Sequence, residues 1–312
     1  MILLATNKRD VTTDFIVREI ERRAIPFFRL NAEDIGTYRI EMQGGDPARL
    51  QLEGNGRTVI LSDVKAAYYR RPQPPRFPEH RPSVAEYLQA EWSAVLRTIW
   101  NALDGRWLNC PFAILRAEDK PRQLSLAGQS GLRIPATNIT NTPKSAVAFS
   151  AGHACVVKPL RHALIDEGEA GKVIFTSRAG RIDQADSAGI EMAPVIFQQE
   201  IPKAHDVRVI VVDDQVFATA IHSQDWDETK TDWRKGVRTD LEHRTVALPA
   251  VVQNACVSIT KALGLRYSAI DLVEDPDGAH WFLEANPNGQ WAWIEHRTGA
   301  PISSAIVEAL AA

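Results

Sequence analysis

The sequence predicts a mixed α/β protein built in three consecutive units, and three observations carry that expectation. An aliphatic run at Met1–Ala5, an amphipathic stretch from about Val11 to Arg23 and a second apolar run at Pro26–Leu30 make a strand–helix–strand start. Short β-branched runs recur between Ala154 and Ile221. Near the carboxyl end, Ser268–Val273 and Trp281–Ala285 flank the turn residues Asp275-Pro276-Asp277-Gly278, the pattern of a β-hairpin.

Taken in order, the first unit spans residues 1–110. After the strand–helix–strand start, Gly44-Gly45-Asp46-Pro47 and Gly54-Asn55-Gly56 punctuate short strands that end at Val64–Arg70. A proline-rich connector, RRPQPPRFPEHRP, precedes a helix from about Ser83 to Leu103, where apolar residues recur at helical period, and Trp107-Leu108 closes the unit. The second unit, 111–198, opens helical. Gly131 ends one helix, Pro135 opens an extended piece, and Thr142-Pro143 starts the next helix. Ala154–Pro159 reads as a strand, the acidic LIDEGEAGK (Leu164–Lys172) as a hairpin tip, and Val173–Thr176 as its second strand. The third unit, 199–312, contains the end of a strand at Val195–Ile201, strands at Val207–Val212 and Val216–Ile221, and a polar Trp-containing stretch from Ser223 to Gly236. A helix at Ala250–Leu263, the hairpin and a closing helix at Ile302–Leu310 complete it.

Bulk properties exclude several classes. The 312 residues are 45% apolar and 24% charged, which places the chain among folded globular proteins. A net charge of -3 and a pI near 6.3 leave no broad basic surface for nucleic acid or anionic membrane. Cys110, Cys155 and Cys256 lie far apart and outside metal spacing, as expected of structural thiols in a reducing cytoplasm. No apolar run reaches membrane length. There is no G-x-S-x-G motif, and Gly168–Lys172 fails the P-loop pattern because Val173 stands where Ser or Thr belongs.

The hairpin carries the strongest chemical signal. With Glu274 opposite Ala279 across the turn, Asp271 falls opposite Phe282, and its face extends to Glu284 and Asn286. Two carboxylates here interrupt runs that otherwise read as buried, an expensive arrangement without a counter-charge. A hard cation such as Mg²⁺ resolves it, since Mg²⁺ takes carboxylate and amide oxygens and shares its remaining positions with water and substrate phosphates. The alternative is a solvated acidic hairpin. Lys120 lies near a helix start, and Lys158 ends a β-run in CVVKPL, where an ammonium requires an anionic partner such as phosphate.

The order of these features is that of a known superfamily. A helix lysine, a strand lysine, a glycine-bearing hairpin, a QQEI strand end, D-x-R and D…E-x-N resemble the ATP-grasp enzymes, which implies an ATP-grasp fold with an amino-terminal pre-ATP-grasp domain, a central domain and a carboxy-terminal domain. More narrowly, RLN at Arg29–Asn31, YYRRP at Tyr68–Pro72, NCP at Asn109–Pro111, SGLRIPATNITN and NPNGQWAWIE are similar to the microviridin-type maturases, the graspetide ligases that crosslink ribosomal peptides. Ribosomal-protein glutamate ligases share the central and carboxy-terminal pattern.

The resemblance assigns Lys120 and Lys158 to the phosphates of ATP, the backbone of Glu200 and Ile201 to the adenine edge, and Asp206 to a ribose or lysine contact. It gives Arg208 to the γ-phosphate, Arg234 to the transferred phosphoryl group, and Asp271, Glu284 and Asn286 to Mg²⁺. Asp206 and Arg208 are also placed to form a structural ion pair, and the loop around Arg234 reads equally as a solvated face. Trp291 and Trp293 read as half-buried packing, with a peptide groove as the alternative. The implied chemistry is carboxylate activation by ATP, under a lid at Leu164–Lys172, followed by ester or amide formation. The implied partner is a precursor peptide with a leader segment; a homodimer is compatible with the sequence. The alternatives are an amino-acid-adding or small-metabolite ligase and a non-catalytic peptide- or nucleotide-binding module.

Overall fold

The computed structural model describes residues 1–161, 164–165, 172–174, 176–180, 182–235 and 240–312. The amino-terminal part is a four-stranded parallel sheet in the order β2-β1-β6-β7, with β1 at Ile2–Thr6, α1 at Val11–Arg22 and β2 at Phe27–Asn31. A three-stranded meander, β3 (Arg39–Glu41), β4 (Gln51–Gly54) and β5 (Arg57–Ile60), leads into β6 (Ala66–Tyr69). The long helix α2 (Pro82–Ala102) and the short strand β7 (Trp107–Leu108) follow. Alternation along β1 sorts its side chains. Leu3 and Ala5 pack with Leu96, Ile99 and Trp100 of α2, whereas Ile2 and Leu4 pack with Ile16 and Ile20 of α1.

Helix starts follow local chemistry. Asp10 caps α1 by accepting from the Thr12 N–H at 3.2 Å, and prolines occupy the first turns of α2, α3 (Pro111–Ala117), α4 (Lys120–Gln129) and α5 (Pro143–Gly152). Asp119 caps α4 through the Arg122 N–H at 3.1 Å, which fixes Lys120 as its first helical residue. Gly131, at φ +90°, supplies the left-handed turn after α4.

A four-stranded antiparallel sheet, β12-β9-β13-β8, comes next, built from β8 (Thr137–Thr140), β9 (Cys155–Lys158), β12 (Ser177–Ala179) and β13 (Val195–Gln199). The pair β10 (Leu164–Ile165) and β11 (Lys172–Val173) makes a separate antiparallel ladder; of the expected strand at Val173–Thr176 only Val173 lies in a strand among the described residues, and β12 starts after Thr176. The lid expected at Leu164–Lys172 has its tip, 166–171, outside the described residues. Helix α6 (Ser187–Met192), which the sequence reading did not foresee, precedes β13.

The largest sheet is five-stranded, β16-β15-β14-β17-β18, from β14 (His205–Val212), β15 (Gln215–Ile221), β16 (His243–Thr245), β17 (Tyr267–Glu274) and β18 (His280–Asn286). Its one face, with Val207, Val209, Val211, Ile270, Leu272 and Phe282, packs against α7 (Ala250–Ala262) and α4. Its other face begins apolar, with Ile210, Val212, Tyr267 and Ala269 against α8 (Ala292–Thr298) and α9 (Ile302–Ala311). Further along, the same face changes to Asp206, Arg208, Asp271, Glu284 and Asn286. Helix α8 was not expected from the sequence. Trp291, at its start, is fully buried edge-on to Phe15, so the packing reading holds for this residue.

The hairpin register corrects the sequence expectation. Asp275 accepts from the Asp277 and Ala279 N–H groups at 3.1 and 2.8 Å and widens the turn, so Glu274 pairs with His280 rather than Ala279. A β-bulge then leaves Leu283 unpaired. Phe282 lies opposite Leu272 on the apolar face, and Asp271 lies directly opposite Glu284.

Long-range hydrogen bonds tie the first sheet to this hairpin. Buried Asn109 donates to the carbonyls of Tyr267 (2.8 Å) and Pro287 (3.1 Å) and accepts from the N–H groups of Arg266 (2.8 Å) and Tyr267 (2.9 Å). Its truncation strands four backbone groups, three of them in buried hydrogen bonds. Asn109→Ala is therefore expected to lower unfolding free energy by about 3 kcal/mol or more, against about 0.5 kcal/mol or less for exposed Lys144→Ala, as read from urea midpoints.

Candidate active site

Arg208, Asp271 and Glu284 form one row across β14, β17 and β18, because their positions are paired across the strands. Arg208 Nη1 donates to Asp271 Oδ1 at 2.7 Å, and Lys120 Nζ lies 3.8 Å from Glu284 Oε2. Arg234 Nη1 approaches Glu284 Oε1 at 3.6 Å while its Nε holds buried Asp232 at 2.8 Å. Lys120 also donates to the Pro159 carbonyl (2.9 Å), and Lys158 to Gln198 Oε1 (2.7 Å). From α4, Gln123 braces the backbone between Glu284 and Asn286: its Nε2 donates to the Ala285 carbonyl (2.7 Å) and its Oε1 accepts the Ala285 N–H (2.9 Å).

Burial and charge pull these groups in different directions. Burial raises the Asp271 carboxyl above its ordinary range, with the Arg208 pair opposing and the Glu284 charge adding to the rise. Burial would raise Glu284 too, but Arg234, Lys120, Lys158 and Arg208 together outweigh it and hold Glu284 below its usual value. Burial pushes the Lys158 ammonium down to about 8, with Glu284 opposing and Lys120, Lys203 and Arg234 assisting the fall. The arrangement is cation-rich around Glu284 and suited to receiving further negative charge.

Nine of the ten expected site residues line one cavity of about 510 Å³, a volume ordinary for a cofactor-sized ligand: Lys120, Lys158, Glu200, Ile201, Asp206, Arg234, Asp271, Glu284 and Asn286. Arg208 lines an adjoining cleft instead. The Glu200 N–H is already engaged by the Ala154 carbonyl at 2.8 Å. Asp206 and Arg208 do not pair with each other: Asp206 takes Lys203 Nζ at 2.9 Å and the Ser223 hydroxyl at 2.6 Å, and Arg208 takes Asp271. The sequence reading missed Lys203, Gln198, Asp232 and Gln123. Only Asp232, two residues before Arg234, left a local signal.

Comparison with known proteins now decides the family. A model of the RimK-like ATP-grasp domain matches residues 117–310. The chain belongs to the RimK-like ATP-grasp family. Its fold is therefore the α/β ATP-grasp fold that the sequence resemblance implies. Macrocyclase MdnC from Microcystis aeruginosa MRC, solved bound with precursor peptide MdnA, is 27% identical with a TM-score of 0.86, covering 99% of each chain. A Chryseobacterium gregarium RiPP-associated ATP-grasp ligase in complex with ADP, and a leader and core peptide, is 26% identical with a TM-score of 0.90, covering 99% of this chain and 96% of that one. A probable alpha-L-glutamate ligase of Shewanella pealeana is 25% identical over 240 residues, which is 75% of this chain and 49% of that protein. Another, of Legionella pneumophila strain Corby, is 26% identical over 257 residues, covering 80% and 81% respectively. The chain thus spans about half the length of the Shewanella protein. By family it is an ATP-dependent ligase.

The donor set of this RimK-like chain fits the cofactors such ligases use. Among the described residues no three or more His, Cys, Asp or Glu side chains gather to cage a metal. Asp271, Glu284 and the Asn286 amide instead provide two carboxylates and one neutral oxygen, the partial set that Mg²⁺ completes with water and phosphate oxygens. Lys120 and Lys158 are the ammonium groups whose charge acts on Glu284, and they would take phosphate charge.

If Lys158 contacts phosphate, nucleotide restores its proton. Free protein at pH 8 holds this site about half protonated, so Mg-ATP binding there is expected to take up ~0.5 proton, falling toward zero below about pH 7. Calorimetry in buffers of different ionisation enthalpy measures it. Uptake that persists in Lys158→Met would assign the proton to another group.

Proposed function

We propose that this chain is a macrocyclising ligase that joins side chains within a ribosomally made precursor peptide by ester or amide bonds. A substrate carboxylate oxygen attacks the γ-phosphorus of ATP, the bond to the β–γ bridging oxygen breaks, and ADP departs with the electron pair. A hydroxyl or amine of the same peptide then attacks the acyl carbon of the acylphosphate; phosphate leaves and the nucleophile loses its proton. Bound Mg²⁺ would offset the charge of the phosphates. Lys120, Lys158 and Arg234 would do the same from the protein side, reducing the repulsion between a carboxylate and a polyphosphate.

The observation that supports this reading is the whole-length likeness to two peptide-bound ATP-grasp structures, 99% of this chain in each, amino-terminal sheet included. That sheet is joined to the site loop: Arg70, almost wholly buried, donates to the Asn288 carbonyl. A leader segment held away from the site would raise the local concentration of the core peptide, so weak contacts at the site suffice. A second reading, addition of glutamate to a protein terminus, draws on the names of the curated relatives.

Intact mass spectrometry separates the two. The cognate precursor, incubated with ATP and Mg²⁺, is expected to become lighter by whole numbers of waters, with one ADP released per bond. A heavier product that requires a free amino acid would replace the first reading with the second.

A further inference from the structure

Beside the 510 Å³ cavity lies a second of about 410 Å³, and Arg71, Trp233, Arg234 and Asn286 line both. Among its described lining residues are four arginines, Arg71, Arg208, Arg234 and Arg297, and no Asp or Glu. Its wall is aromatic: the Trp293 ring lies 5.4 Å from Trp233 and 5.0 Å from His243. Burial and the nearby Arg297 lower the His243 pKa, so the imidazole brings no compensating charge of either sign at neutral pH. Arg208 is 6% exposed, and its Nε has no hydrogen-bond partner. Asp271 answers Arg208 and Asp232 answers Arg234, whereas Arg71, which also lines the larger cavity, has no carboxylate partner among the described residues and is open to an incoming anion.

Arg71 is the distinctive member. Its side chain makes no hydrogen bond or ion pair among the described residues, and its backbone sits at φ +45° immediately before Pro72. A residue preceding proline is ordinarily held in the extended region, so a left-handed, β-carbon-bearing residue here is doubly disfavoured. The strain is imposed from both sides. The Arg70 N–H is fixed on the Ala5 carbonyl (2.8 Å), and the Arg71 carbonyl accepts from Asn7 Nδ2 (2.8 Å). Strain of this kind concentrates where a side chain must be presented to a ligand.

We propose that this second cleft seats the substrate carboxylate that attacks the nucleotide, and that Arg71 is the guanidinium that clamps it. The inference rests on the carboxylate-activating reading above and adds the seat and its selecting residue. A bidentate guanidinium–carboxylate pair fixes both oxygens and leaves one lone pair directed toward the shared rim, where the nucleotide cavity begins. The aromatic wall would cover the methylene stem or the neighbouring peptide.

The test uses full-length protein, hexaglutamate as the probe and hexaglutamine as its neutral control, titrated by calorimetry in the presence of Mg-ADP. Arg71→Gly removes the guanidinium and relieves the backbone, so its Tm is expected to equal or exceed that of the natural protein. Hexaglutamate affinity is expected to fall about tenfold in Arg71→Gly and less in Arg71→Lys, with Mg-ADP affinity unchanged and hexaglutamine not bound. Unchanged hexaglutamate binding, an equal loss of Mg-ADP binding, hexaglutamine binding as well as hexaglutamate, or no binding of hexaglutamate by the natural protein would each overturn the assignment. A precursor that gains mass would remove the crosslinking reading yet leave this clamp in place, since glutamate addition also begins with an attacking carboxylate.

Discussion

Two carboxylates and their surrounding cations share one sheet face from which water is mostly withdrawn, and neither set is tolerable there without the other. Asp271 and Glu284 side chains are 13% and 24% exposed, and Arg208 is 7%. Isolated ions at such burial would cost several kcal/mol each. Paired, they persist, but with an imbalance: Arg208 answers Asp271, whereas Lys120, Lys158 and Arg234 converge on the single charge of Glu284. The surplus of positive charge suits the face to receiving polyphosphate rather than to closing as a structural network.

The rest of the fold holds that face still. Its apolar continuation, Ile210, Val212, Tyr267 and Ala269, is locked under α8 and α9, and the opposite face is packed on α7 and α4. The loop after β18 has no freedom to drift. Arg70 and Asn109 hold it from the first sheet, Tyr267 donates its hydroxyl to the Gly289 carbonyl at 2.7 Å, and any β-carbon at Gly289 would lie 2.2 Å from that of Ala269 and 2.8 Å from Arg208 Nη2. Glycine there is a requirement of close approach. The amino-terminal sheet and the candidate site are consequently joined by direct hydrogen bonds, as the proposed holding of a peptide at two separated places would require.

Most strands, most helices and the hairpin were legible because each rests on short-range signals: alternation, a capping aspartate, a proline in the first turn; the three-residue strands β12 and β16 carry no such signal. Asp271 and Glu284 stood out because charge broke an apolar alternation. Their facing register did not, since it depends on a one-residue bulge at Leu283 and on Asp275 widening the turn. Helix α8 was hidden behind the NPNG turn residues. Asn109 and Gln123 were invisible as braces, because their partners lie about 160 residues away, at separations of 158 and 162. The Arg71 cleft is likewise an assembly of four distant segments, and no local pattern announces it.

Glu284, as proposed, carries negative charge on behalf of a metal-bound nucleotide. The direct measurement is ADP affinity by calorimetry with and without Mg²⁺, for the natural protein and for Glu284→Gln, which keeps volume and removes charge. Mg²⁺ is expected to tighten ADP binding to the natural protein and this enhancement to disappear in the variant, while metal-free ADP binds the variant at least as well. An enhancement by Mg²⁺ of the same size in both proteins would contradict it.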